Sequence, residues 1–143
     1  MQQIEIGRGR KLRDGEDIVL LTMGHIGNYA VEVCNRMAKK NLSVGHYDMR
    51  FVKPIDEDIL HEVFANYKKV ITVEDGCIQG GFGSAVLEFM ADNNYQAEVR
   101  RLGIPDRVVD HGEQIELHRE CGFDADGIER AVVEMMESVS RSL

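Results

Sequence analysis

Two hydrophobic rhythms alternate along the chain. Ile18-Val19-Leu20-Leu21-Thr22-Met23 is a continuous apolar run closed by Gly24, the pattern of a strand covered on both faces and placed centrally in a sheet. Ala30, Val33, Cys34 and Met37 then recur at helical spacing, and Lys39, Lys40 and Asn41 stand where that helix would end. The unit repeats. Ser43 to Met49 reads as a strand, and Asp56 is placed to N-cap a helix carrying Ile59, Leu60, Val63 and Phe64 on one face. Lys69 to Glu74 is a third strand. After Gly80 and Gly81, Phe82, Ala85, Val86, Phe89 and Met90 form an amphipathic stripe, followed by a strand over Glu98 to Leu102.

Strands separated by helices predict right-handed crossovers and a mainly parallel sheet, hence an α/β fold. The ends depart from this rhythm. Ile4 to Arg13 reads as short extended pieces punctuated by Gly7, Gly9 and Gly15, which suits an edge strand antiparallel to the others. Beyond Pro105 two helices are expected, one ending at Gly122 and one starting near Asp124 with Ile128, Ala131, Val132 and Met135 inward. No linker divides residues 1–143, so one domain is expected.

Composition narrows the function classes. At 143 residues and 43% hydrophobic, the chain can bury roughly two thirds of its unfolded surface in one core. Its net charge of -8, from 17 Lys+Arg against 25 Asp+Glu, opposes nucleic-acid binding. Cys34, Cys77 and Cys121 are odd in number and far apart, fitting neither a disulfide framework nor a Cys-x-x-Cys site and suiting a reducing compartment. Residues 1–17 hold no apolar core segment, so no cleavable secretory signal is expected, and no apolar stretch is long enough to span a bilayer. A cytoplasmic protein without membrane partners is the expectation.

Three chemical motifs nearly form. Gly24-His25-Ile26-Gly27, followed by Asp48 at the end of the next strand, imitates a dinucleotide turn but lacks the three-glycine order. Glu74-Asp75-Gly76 with Asn93-Asn94 imitates the two halves of a magnesium–thiamine diphosphate motif. The leading glycine is absent, the gap is short, and the asparagines suit a helix end. Gly81-Phe82-Gly83-Ser84-Ala85 resembles a nucleophile elbow with Phe82 and Val86 where glycines are required. His25, His46, His61, His111 and His118 lack metal-ligand spacing and read as surface or hydrogen-bonded residues. What survives is placement: Gly24 to Gly27 and Gly80 to Gly83 each precede a helix at the carboxyl edge of the sheet. Their free N–H groups could meet an anion, or their small size could admit a partner domain.

Several segments carry a family resemblance. Val73-Glu74-Asp75-Gly76 with Gly80-Gly81-Phe82-Gly83-Ser84, Asp48-x-Arg50-Phe51-Val52-Lys53-Pro54-Ile55-Asp56, and Ile104-Pro105-Asp106-Arg107 with His111-Gly112 resemble, in order, segments of the last domain of 1-deoxy-D-xylulose-5-phosphate synthases. The Pro-Asp-Arg and His-Gly segment favours these over transketolase itself or a 2-oxo acid dehydrogenase beta subunit. The resemblance implies the transketolase C-terminal fold, a three-layer α/β/α arrangement with a mostly parallel five-stranded sheet and one antiparallel edge strand. It also implies a parent transferase that decarboxylates pyruvate on thiamine diphosphate and adds the two-carbon unit to glyceraldehyde 3-phosphate, feeding isoprenoid, thiamine and pyridoxal synthesis. Thiamine diphosphate and magnesium would sit on preceding domains, and none is expected on this chain.

No catalytic, cofactor-binding or metal residue is carried over from the family. The expected partners are the cofactor-binding domains of the same enzyme, within a homodimer, and an excised piece of a longer polypeptide is expected. Candidate interdomain or anion-contacting residues are Gly24, His25, Gly27, Glu74, Asp75, Gly80, Gly81, Gly83, Asp106, Arg107 and His111. The competing reading is a free regulatory domain that binds a phosphorylated metabolite at a helix N-terminus.

Overall fold

A computed structural model describes residues 6–24, 26–51, 54–77, 81–104, 119 and 121–137. Within them the chain runs β1 (Arg10–Arg13), β2 (Ile18–Met23), α1 (Gly27–Ala38), β3 (Val44–Asp48), α2 (Glu57–Asn66), β4 (Lys69–Cys77), α3 (Phe82–Asp92), β5 (Glu98–Ile104) and α4 (Ala125–Glu137). The five strands lie in the order β1-β3-β2-β4-β5. All neighbouring pairs are parallel except β1 with β3, so β1 is the antiparallel edge strand the sequence predicts.

Alternation along the strands divides the interior into two cores, one on each face of the sheet. Ile18 and Leu20 of β2, Val44 of β3, and Ile71 and Val73 of β4 pack with Val33, Met37, Ile128 and Val132 under α1 and α4. The opposite positions, Val19, Leu21, Tyr47 and Val70, pack with Leu60, Phe64, Phe82 and Val86 under α2 and α3. Leu20, Leu21, Phe82 and Ile128 are wholly buried, each such side chain contributing about 1.5–3 kcal/mol. The continuous apolar run of β2 thus follows from its central position: it feeds both cores.

Helix starts follow local chemistry. The Asp56 side chain accepts from the Ile59 N–H at 3.1 Å and starts α2, and the Asp124 side chain accepts from the Gly127 N–H at 2.9 Å to start α4. Asn41, at φ 63, turns the chain after α1, and Asn94, at φ 59, does so after α3. β3 is one residue shorter at each end than expected, and three other strand bounds differ more. β1 begins only at Arg10, β4 continues past Glu74 to Cys77, and β5 reaches Ile104, where a register shift after Val73 lets Cys77 pair with Ile104. Irregular pairing carries both strands beyond the acidic and glycine residues that would ordinarily end them. The expected helix ending at Gly122 lies mostly outside the described residues.

Candidate functional site

β2 crosses through α1 to β3 on one side, whereas β4 crosses through α3 to β5 on the other. The carboxyl ends of β2 and β4 therefore border the point where the connections diverge, the place where sheets of this kind form a crevice. Gly24 and Gly27 stand at the end of β2 and the start of α1. Glu74, Asp75, Gly81 and Gly83 stand at the end of β4 and the start of α3. His25, Gly80, Asp106, Arg107 and His111 lie outside the described residues.

The two glycine turns are built differently. Gly24 has φ +86 with nothing near its would-be Cβ, so backbone conformation alone demands glycine there. Gly27 is a matter of space, since a Cβ would lie 3.2 Å from the Thr22 Oγ1. At the other turn, Gly83 lets α3 lie close on the sheet: a Cβ would come within 2.7 Å of the Thr72 Oγ1 and 2.9 Å of the Arg101 side chain. Gly81 sits at φ -90, ψ -159, an extended backbone open to any residue.

Glu74 corrects the sequence-based expectation for this edge. Expected to face a partner or an anion-bearing ligand, it is 6% exposed and turned inward. Its two carboxylate oxygens accept from the Phe82 N–H at 2.8 Å and the Gly83 N–H at 3.1 Å. The first-turn donors of α3, expected to be free for an anion, are thus filled by the chain's own acid. The neighbouring Asp75 is exposed. A readable signal existed, because α3 opens on Gly81-Phe82 with no side-chain cap of its own, so its donors require an acceptor from elsewhere.

These placements also decide the magnesium–thiamine diphosphate likeness. Glu74 is committed to the start of α3, while the Asn93 Nδ2 donates to the Phe89 carbonyl at 2.9 Å at its end. The 11 residues of α3 separate the two halves by about 16 Å. Among the described residues no three His, Cys, Asp or Glu side chains converge to hold a metal ion. The residues present do not fit that group.

A buried polar pair, not singled out by the sequence, lies beneath the α1 turn. The Thr22 Oγ1 and His46 Nε2 are 2.8 Å apart, and both residues are at most 1% exposed. Burial lowers the His46 pKa to about 4 against the opposing pull of Asp48, so the imidazole is neutral near pH 7. His61 is exposed, with its Nδ1 2.6 Å from the Tyr95 hydroxyl. A cavity of about 540 Å³ opens at the amino edge, lined by Lys11, Asp14, Tyr47, Glu62 and Tyr67 among others. Its polar groups satisfy one another: the Tyr47 hydroxyl donates to Glu62 at 2.6 Å, and the Tyr67 hydroxyl donates to the Gly15 carbonyl at 2.8 Å.

Comparison with known proteins agrees with this architecture. The chain is 64% identical over 92% of its length to the 1-deoxy-D-xylulose-5-phosphate synthase of Cytophaga hutchinsonii, covering 21% of that protein. It is 51% identical over 90% of its length to the synthase of Parabacteroides distasonis, covering 20% of it. The chain thus spans about a fifth of the length of these relatives. A solved structure described as a split gene transketolase, inactive beta4 tetramer, superposes with a TM-score of 0.87 at 28% identity, over 95% of this chain and 44% of that one. Transketolase from Campylobacter jejuni shares the fold at TM-score 0.62 and 16% identity, over 90% of this chain and 18% of that one. The sequence model for the transketolase C-terminal domain matches residues 7–128, and the chain belongs to that family, in the form carried by 1-deoxy-D-xylulose-5-phosphate synthases.

Proposed function

We propose that this chain is the C-terminal module of a 1-deoxy-D-xylulose-5-phosphate synthase and that its own task is packing and assembly. The parent transferase would join pyruvate, after decarboxylation, to glyceraldehyde 3-phosphate, supplying isoprenoid, thiamine and pyridoxal synthesis. Thiamine diphosphate and magnesium would be held by the preceding domains, within a cytoplasmic homodimer. The observation that carries this reading is the identity of 64% across 92% of the chain to a synthase of which the match covers only 21%. A packing role is supported by the fate of the polar groups at the carboxyl edge. Glu74 is spent on α3 and Thr22 on His46, while small residues leave room for close approach. Gly24, Gly27, Gly81 and the exposed Asp75 would meet the neighbouring domain, together with His25, Gly80, Asp106, Arg107 and His111.

Capture of the chain from its native host, followed by intact-mass and peptide analysis, tests this. A single polypeptide several times larger, with cofactor-domain peptides upstream, is expected. A 16.2 kDa species bound to no cofactor-domain subunit would refute the reading. Among the described residues, the competing metabolite-binding role would fall to α1, whose start has no side-chain cap. Calorimetry with phosphorylated metabolites at millimolar concentration would detect it.

A further inference from the structure

The segment that leads into β1 lies against α2 and is held there by charge. The Arg8 guanidinium stands 2.6 Å from the Asp58 carboxylate and 3.8 Å from that of Asp56. The Lys11 Nζ lies 3.0 Å from Asp14, 3.5 Å from Glu62 and 5.8 Å from the centre of the Tyr47 ring. Asp58 and Glu62 are four positions apart and so share one face of α2. Residues 7–11 thus cross that face as a strap with a cation at each end.

Glycine makes the room for it. A Cβ on Gly9 would lie 2.8 Å from the Asp48 carbonyl oxygen and 2.9 Å from the Ile59 Cδ1, and one on Gly7 would lie 2.8 Å from the Pro54 ring. The strap backbone runs through a slot, between the end of β3 and the start of α2, that is too narrow for a side chain.

Apolar packing adds little. Ile6, just before the strap, is 80% exposed, and a cavity of about 360 Å³ opens between strap and helix, walled by Arg8, Lys11, Asp58 and Glu62 among others. Lys11 pairs with Tyr47 and Arg13 with His46, which leaves Leu12 as the extra residue of a β-bulge and confines regular pairing with β3 to Arg10 and Lys11. A segment fixed by exposed ion pairs over a void belongs to the least stable part of a fold.

Asp56 joins this weakly held strap to the helix. The residue is 4% exposed. Its Oδ1 accepts from the Ile59 N–H at 3.1 Å and caps α2, while its Oδ2 accepts from the Gly9 N–H at 2.9 Å. A single side-chain orientation serves both bonds. Lifting the strap removes the donor from Oδ2 and opens the carboxylate to water, which frees the side chain to leave its capping position.

From the shared Asp56 carboxylate, the glycine slot and the paired cations, we infer that residues 7–11 are a latch: the strap and the first turn of α2 seat and release together. Raised ionic strength draws Arg8 and Lys11 off their carboxylates and opens it. The start of α2, at the carboxyl edge, then loosens while the sheet and both cores stay intact. The latch does not depend on the reading of the chain as a synthase module.

Amide hydrogen exchange followed by NMR on the 143-residue chain tests this. The wild type is compared with the double variant Arg8→Gln, Lys11→Gln and with Gly9→Ala, which crowds the slot. Both cations lie outside α2, and removing a cation near a helix N-terminus would by itself steady that helix, so lost protection at Ile59 reports the strap. In the double variant, protection at Gly9 and Ile59 should fall together by about two- to tenfold, the scale of two exposed ion pairs, and Gly9→Ala should lower it at Ile59 at least as much. Wild type in about 0.5 M NaCl should match the double variant. Ile71, inside β4 and paired beside Leu20, should keep its protection. In the double variant, a loss at Gly9 with Ile59 unchanged, no loss at either, or an equal loss at Ile71 would overturn the latch. That variant decides alone if Gly9→Ala unfolds the chain.

Discussion

Replacing Glu74 by alanine should destabilise the fold far more than an acid at a strand end ordinarily would. The carboxylate accepts from the Phe82 N–H at 2.8 Å and the Gly83 N–H at 3.1 Å, and the residue is 6% exposed. An exposed N-cap contributes about 1 kcal/mol. Leaving a buried donor unsatisfied costs about 1–3 kcal/mol, and two donors are at stake here with water only partly able to replace the acceptor. A loss of about 2–4 kcal/mol follows. For a chain of 143 residues, that corresponds to a fall in Tm of about 6–12 °C. Urea unfolding followed by circular dichroism would give the same loss as a lower midpoint with unchanged slope. Glu74→Gln, which retains one good acceptor, should lose about half as much. A cost of Glu74→Ala below about 0.5 kcal/mol, the scale of an ordinary surface substitution, would refute the inward role of the carboxylate.

Other expectations follow from the same packing. The Thr72 Oγ1 is buried without a hydrogen-bond partner, so Thr72→Val should raise stability by about 1 kcal/mol in urea unfolding; a comparable loss would contradict the geometry. His46 has a folded pKa lowered from 6.5 to about 4, chiefly by burial. Its neutral form therefore supports the fold fully above pH 6.5, and that support declines as pH falls to about 4, by at most about 3 kcal/mol. The stability difference between the wild type and His46→Gln, measured from pH 8 to pH 4, should shrink across that window, and a constant difference would refute it. The Cys34 thiol is pushed up to about 11 by burial, so iodoacetamide at pH 8 should label it only after unfolding; rapid labelling of the native chain would show the site to be open.

Much of the fold was legible because its signals are local. The uninterrupted run Ile18–Met23 announces a strand covered on both faces, and Asp56 announces a helix start, because each depends on neighbours within a few positions. The candidate site was legible only in outline. The glycines marked both turns, but the donors that Glu74 satisfies lie eight and nine positions later and meet it only once α3 has folded back over β4. The contact between Thr22 and His46 depends on the register that sets Leu20 beside His46, and no periodicity in either strand specifies that pairing. The bulge at Leu12 is equally invisible in a four-residue strand whose alternation it interrupts.

The most direct test of the packing role is synthase activity: glyceraldehyde 3-phosphate-dependent release of CO2 from pyruvate, with thiamine diphosphate and magnesium supplied. The account predicts turnover by the complete polypeptide and none by this chain alone. Turnover by the isolated 143-residue chain would contradict it.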